Sequence, residues 1–535
     1  MSGITGGTGW HAAWTRGRCV AALSSVFVTM ALCSNRRKLC CLFYLVIIVS
    51  ITWLASALFL LSNPPGLRST GVTLFGGTQP YPNSPPEDNL ITTQVGSRSK
   101  ESFAWNPGER YLAYLPHSGF HNQRIALENA LVLSRILNRT LLVPPARLGN
   151  DLISYRSFDD LQHLLIHSGK QGLHHCAEVA SRIAPPSECW GYFDYTHVSW
   201  DWLVDLSSIA ADQRLFHHEA LGYPWLEDPP PDNDTLWLKD QTAYDYRFVD
   251  YTPVLDAAAH PRYNIAYPVS TLAASSAQLI QLGTLFGSAR LHLTQRGNLA
   301  ARTAIRKHMG FANPHLRTVS TAAVNVLGGK DAFLAAHVRL SDGPFLALRE
   351  RTVRAIWYQL VAYALHDVNA SAGITDIYEL ERVLVPTNAV LPPLREPLIK
   401  SMPPAEMRLW GNMASSSRIK CAGKQHQAPE LVPLNVPLFV ATDVEEALAL
   451  APLRAAFPCT ILLRDLEDVP AMGMLNRLVS AEDGVLLAPF LAPLLDAAIV
   501  ARAWAIVGTE GSTFSRYIED LLWPLEHGHQ IAQRG

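Results

Sequence analysis

Apolar and polar positions along this chain switch between two periods, and the switches mark its elements. Tyr111–Pro116 is a short apolar run of strand length. Ile125–Leu137 repeats its apolar residues at helical spacing, and Thr140–Pro144 is a second strand stopped by Pro144 and Pro145. Strand, helix, strand predicts a βαβ unit with a right-handed crossover. The alternation returns after Asp331. Strands are predicted at Ala332–Val338, Leu438–Thr442, Thr460–Leu463 and Ala505–Gly508, and helices at Arg351–Leu365, Val444–Phe457, Leu491–Arg502 and Ser512–Leu522. That order predicts parallel, doubly wound α/β structure. Between the two patterned parts, residues 150–315 carry scattered tryptophans (Trp190, Trp200, Trp202, Trp225, Trp237) and a Pro-rich loop, Asp228–Asp232. No period is readable there, and mixed helices and loops are assigned. The polar, proline-containing stretch 392–436 reads as a surface insertion.

The N-terminal part has a different character. Leu39–Ser62 is apolar and without charge, long enough for a bilayer-spanning helix of roughly 20 residues. Arg36, Arg37 and Lys38 precede it, and residues 1–38 contain no acidic residue. The positive-inside rule then predicts a single-pass type II membrane protein, with a cytosolic tail and everything after Ser62 in the lumen of the Golgi or the endoplasmic reticulum. The rival reading, a cleaved signal peptide, expects a shorter apolar segment, and Val20–Leu32 fits that length better. Residues 63–105, rich in Pro, Gly, Ser and Thr, read as a disordered stem.

Formal charge is −2, with 48% hydrophobic and 17% charged residues, which gives no reason to expect a nucleic-acid partner. Beyond the apolar span the cysteines are Cys176, Cys189, Cys421 and Cys459. In an oxidising compartment they imply two disulfides, and local pairing, Cys176 with Cys189 and Cys421 with Cys459, is expected. Asn138, Asn233 and Asn369 each begin a glycosylation acceptor triplet, a pattern that is common by chance.

Candidate chemistry lies where apolar strands give way to polar turns. In Ile506–Ser515, Gly508 and Gly511 flank a helix start, where free N–H groups favour an anion and Ser512, Thr513 and Ser515 add hydroxyls. Plain helix capping explains the same residues. His337-x-Arg339-x-x-Asp342 follows a strand. The arginine fork suits a diphosphate, and Asp342 would fix that fork or accept from a ligand hydroxyl. The alternative is a surface ion pair of little energetic worth. Asn122, Gln123 and Arg124 stand between the first strand and its helix, where amides can bond sugar hydroxyls. His174, His175, Cys176 and Cys189 fit no common zinc spacing, Asp232 and Asp234 read as an exposed turn, and no metal is expected.

These pieces together resemble the GDP-fucose protein O-fucosyltransferase family, its membrane-anchored plant and fungal branches in particular. The resemblance rests on Gly119–Gln123, His337–Asp342, Phe439–Asp443 and Gly508–Ser515. It implies a GT-B-like fold, two Rossmann-like domains facing a cleft, at 106–320 on the acceptor side and 321–535 on the donor side. It implies inverting, metal-independent transfer of fucose from GDP-fucose to a Ser/Thr hydroxyl of a protein acceptor. Arg339 would be the catalytic arginine at the diphosphate. Ser512, Thr513 and Phe514 would contact phosphate and base, Asp496 would read guanine, and Asn122, His337 and Asp342 would complete the donor site. His121, between Phe120 and Asn122, departs from the family pattern. The general base is open among His117, His121 and Glu128. A glycan acceptor, or a binding protein without turnover, are the alternatives.

Overall fold

The computed structural model describes residues 90–92, 103–149, 152–178, 184–217, 222–252, 262–365, 377–385, 421–444 and 448–533, all within one compact unit, Val72–Gly535. The expected cytosolic tail, the expected anchor Leu39–Ser62, most of the expected stem and the triplet at Asn369 lie outside the described residues. Among the described residues, no helix is long and apolar enough to cross a membrane.

The protein is mixed α/β with several parallel sheets, of which two carry the candidate site. The first sheet has five strands: β1 (Tyr111–Ala113), β2 (Thr140–Val143), β3 (Leu215–His217), β4 (Thr235–Leu238) and β5 (Leu279–Leu282). They lie in the order β3-β2-β1-β5-β4, all parallel. The second has β6 (Leu334–Val338), β7 (Leu438–Thr442), β8 (Thr460–Ile461) and β9 (Ala505–Gly508), in the order β8-β7-β6-β9, again all parallel. The order in which successive strands are laid down reverses between β1 and β5 in one sheet and between β6 and β9 in the other. Such switch points open crevices at the carboxyl ends of the strands.

Both sheets are covered on both faces, which explains their continuous apolar runs. Along β6, Leu334, Ala336 and Val338 enter one core with helix α4 (Arg349–Leu365), while Ala335 enters the other with α5 (Ala488–Val500). Along β1 and its continuation, Leu112 and Tyr114 face one core, and Tyr111, Ala113 and Leu115 face another. The largest core draws on both sheets and on α1 (Phe120–Leu137), α2 (Arg296–Lys307), α3 (Pro314–Val326) and α5.

Several expectations need correction. The middle region is not helix and loop alone: among them it supplies β3, β4 and β5 and a further parallel sheet of Tyr246–Val249, Ile265–Pro268 and Leu291–His292. These strands are two to four residues long, too short for a two-residue period to show. The expected stem is ordered in part: Ile91 and Thr92 pair in parallel with Leu478 and Val479, and Phe103 and Trp105 pack on a core cluster. Within the expected surface insertion, Leu434 and Val436 are buried on the approach to β7. The expected helix Val444–Phe457 is helical over Ala451–Ala456, Pro452 standing in its first turn. The cysteines pair as expected, Cys176 with Cys189 and Cys421 with Cys459.

Candidate functional site

At the switch point of the second sheet, the ends of β6 and β9 are tied together by the side chains that follow them. Thr509 donates its N–H to the Ser515 hydroxyl and its own hydroxyl to the carbonyl of His337, and it accepts from the N–H of Arg339 at 2.9 Å. His337 Nδ1 lies 2.7 Å from Ser515 Oγ. Asp443, just past β7, accepts from the N–H groups of Leu340 and Ser341 and from the Ser341 hydroxyl. The loop after β6 is therefore pinned from both neighbouring strands, which fixes where Arg339 begins. Burial holds the His337 imidazole down to about 4; Asp443 opposes this and Arg339 adds to it. It is neutral at physiological pH.

The turn after β9 is built from two glycines. A Cβ on Gly508 would sit 2.6 Å from Ser515 Cβ and 2.8 Å from Glu519 Oε1, and Gly511 has φ of +79°. Ser512 then caps the helix start, accepting from the N–H of Ser515. Helix α6 (Thr513–Tyr517) runs on through a π-helical stretch, Ile518–Leu522. Ser512 is buried and occupied as a cap, while Thr513 and Phe514 are half-buried.

Arg339 and Asp342 form a two-point ion pair, Nε to Oδ1 at 2.9 Å and Nη2 to Oδ2 at 2.5 Å. The guanidinium also lies over the Phe345 ring at 4.8 Å. The pair is partly exposed, and among the described residues no protein group takes Nη1.

The first sheet contributes the start of α1, which meets α6 across the crevice. Thr513 Oγ1 lies 3.4 Å from Asn122 Oδ1, and the His121 ring packs against Phe514 and Tyr517. Asn122 lies in the first turn of α1 rather than in the loop before it. Its neighbours are not free for sugar: Gln123 bonds the Ser118 and Arg147 carbonyls, and Arg124 is buried in an ion pair with Glu128. Glu128 also pairs with Arg306. Burial works to raise its carboxyl, but the two guanidiniums outweigh this and hold it below its ordinary range. Glu128 is thus saturated and is no general base. Sequence reasoning missed Arg306 and Tyr517; only the i,i+4 spacing of Arg124 and Glu128 signals the network locally.

Asp496 stands apart from these contacts, on α5, buried, with Oδ1 lacking a partner among the described residues. Burial pushes its carboxyl well above the usual range. An acid whose folded pKa is raised loses stability as pH climbs from its unfolded value, near 4, toward the folded one. We therefore expect Asp496→Asn to stabilise the ligand-free protein at pH 7.5 by about 1–3 kcal/mol and to change it little at pH 4. Denaturant titrations at the two pH values check this, and a destabilised variant at pH 7.5 would contradict it.

Outside the crevice, Cys176 and Cys189 are joined to each other, with His175 Nε2 3.7 Å from either sulfur. Asp232–Asp234 form an exposed 3-10 turn.

No family model matches the chain. Over 38 residues it is 55% identical to O-fucosyltransferase 30 of Arabidopsis thaliana, a stretch covering 7% of this chain and 8% of that relative's length. Among solved structures, it is similar to POFUT1 in complex with GDP at 12% identity and TM-score 0.32, covering 80% of this chain and 98% of that one. It is similar to POFUT1 in complex with GDP-fucose at 11% identity, TM-score 0.32 and the same coverage.

Proposed function

We propose that this protein is a GT-B glycosyltransferase that moves fucose from GDP-fucose to a Ser/Thr hydroxyl of a protein acceptor, with inversion. The observation that supports this best is the meeting of Arg339, the Gly508–Ser515 turn and the start of α1 at one switch-point crevice. The short match to an O-fucosyltransferase supports the same reading.

In this proposal the acceptor hydroxyl attacks C1 of fucose from the face opposite the nucleotide and gives up its proton to water. The bond from C1 to the β-phosphate oxygen breaks, and its electron pair leaves with GDP. Arg339 meets the charge that develops there, Asp342 orients its guanidinium, and the Thr513 hydroxyl adds a polar contact. Positive charge from Arg339, with the buried Arg124 and Arg306 behind it, takes the place of a divalent ion. Asp496 would accept from guanine, which is the partner its bare oxygen lacks. The two disulfides support a luminal, Golgi or endoplasmic-reticulum location for the folded part, and Leu39–Ser62 would anchor it in the membrane.

GDP is expected to raise the melting temperature of the full chain in mild detergent with EDTA present, and UDP to do so much less. At 100-fold over Kd the gain is about 2.7 kcal/mol. Equal stabilisation by both nucleotides, or a strict need for Mn²⁺, would refute the donor assignment.

A further inference from the structure

His121 is the residue by which the first turn of α1 departs from its family pattern, and the structure puts it at the seam of the crevice. It is 7% exposed. Its ring lies 4.9 Å from that of Tyr517 and meets Phe514 edge-on at 5.9 Å. A side chain from the first half thus packs on the helix that opens the turn of the second.

The ring's protonation follows from its neighbours. Arg124 Nε donates to Nδ1 at 3.5 Å. Arg124 is itself held by Glu128 at 2.7 Å and lies over the Tyr517 ring at 4.7 Å. Nδ1 is therefore the acceptor, and the proton sits on Nε2. The charged and titratable groups around the ring are Arg124 and Glu128 on its own helix, Arg306 from Arg296–Lys307, His337 and Arg339 at the end of β6, and Tyr517 on α6. Glu128 is consumed by its two arginines. Burial comes first, and Arg124, Arg306, His337 and Arg339 add to it, in holding the imidazole well below its usual range. His121 is then a neutral donor and no base. Among the described residues the ring's hydrogen bond is the one at Nδ1, and no protein group takes the Nε2 N–H, which leaves it open to a ligand.

We propose that His121 donates a hydrogen bond from Nε2 to a phosphate oxygen of the bound nucleoside diphosphate, beside Arg339. The inference rests on the nucleotide-sugar reading above and adds a ligand contact from the opposite half of the crevice. A neutral imidazole suits this work, because it lends a donor to the departing diphosphate without releasing a proton onto it.

The test compares His121→Phe, which keeps the ring packing and loses the donor, with His121→Gln, which keeps a donor. GDP, GMP and inorganic phosphate affinities and fucose transfer are measured on the full chain. We expect His121→Phe to weaken GDP about 10- to 100-fold, as for loss of a hydrogen bond to a charged group. GMP should be far less affected, and turnover should fall on the order of 10²-fold. His121→Gln should recover most of both, and free phosphate alone should not report the difference. If His121→Phe does not fold, His121→Leu takes its place. Unchanged GDP affinity and turnover in the donor-less variant, or equal losses in both variants, would overturn the inference while leaving the nucleotide-sugar reading intact. Failure of the unsubstituted chain to bind GDP would overturn both.

Discussion

Arg339→Ala should lower fucose transfer by a factor on the order of 10²–10³ while leaving the protein folded. The two halves of that expectation come from different atoms. Catalysis, in the proposed reaction, uses the guanidinium, whose Nη1 is left open by the ion pair with Asp342. Folding uses the backbone, because the Arg339 N–H bonds Thr509 and the next two N–H groups bond Asp443. The side-chain pair is partly exposed, and such pairs contribute about 0–1 kcal/mol. Arg339→Lys keeps the charge and loses the planar fork, so it too should fail. Asp342→Asn keeps the guanidinium but leaves it less well oriented, and should be intermediate. Transfer and donor hydrolysis, measured on variants with native melting temperatures, check the series. Near wild-type turnover in Arg339→Ala would mean that Arg339 is not the catalytic arginine and that the reaction runs elsewhere.

How much of this was legible from sequence varied with the length of the signal. Strands β6, β7 and β9 carry apolar runs of four or five residues between polar turns, and their predicted positions match closely. The start of α1 was placed late, because Phe120 to Arg124 look like a polar loop until Gln123 and Arg124 are seen to be buried by partners distant in sequence. The first sheet was the larger miss. Strands β3, β4 and β5 are three or four residues long and are assembled from a region without periodicity, so only long-range pairing to β1 and β2 defines them.

The site shows the same division. Each motif was visible as a turn after a strand, and each had a plain capping explanation. The capping explanation is true for Ser512, whose hydroxyl caps α6. What sequence could not supply was convergence: Thr509 joining β6 to β9, and Asn122 and His121 arriving against α6 from almost 400 residues away. Asp496 was nominated by distance along the chain. The structure gives it a bare buried carboxyl oxygen, a physical reason for a ligand that spacing alone did not provide.

Glu128→Gln should cost about 3–5 kcal/mol of stability. Glu128 stands between Arg124 and Arg306, 2.7 Å from each, and all three are buried. Removing its charge leaves two guanidiniums in low dielectric with no counter-charge, and the desolvation already incurred is no longer offset. The pH dependence carries the same signature. Glu128 is held below its ordinary 4.5 in the folded state, so its contribution is fully present above that value. It is lost as pH falls through the folded pKa, because the folded state then takes up the proton late and at a cost. Urea titrations between pH 3 and pH 7 should show this acid-labile part in the unsubstituted protein and its absence in Glu128→Gln. A variant as stable as the parent at pH 7 would mean that water solvates the arginines and that the network is not a buried one. The consequence reaches the crevice as well. Arg124 orients His121 and lies over Tyr517, so any Glu128→Gln molecules that remain folded should also transfer fucose poorly. Fold and chemistry meet in this one triad, which joins α1 to Arg306 and stands directly behind the seam where the diphosphate is proposed to sit.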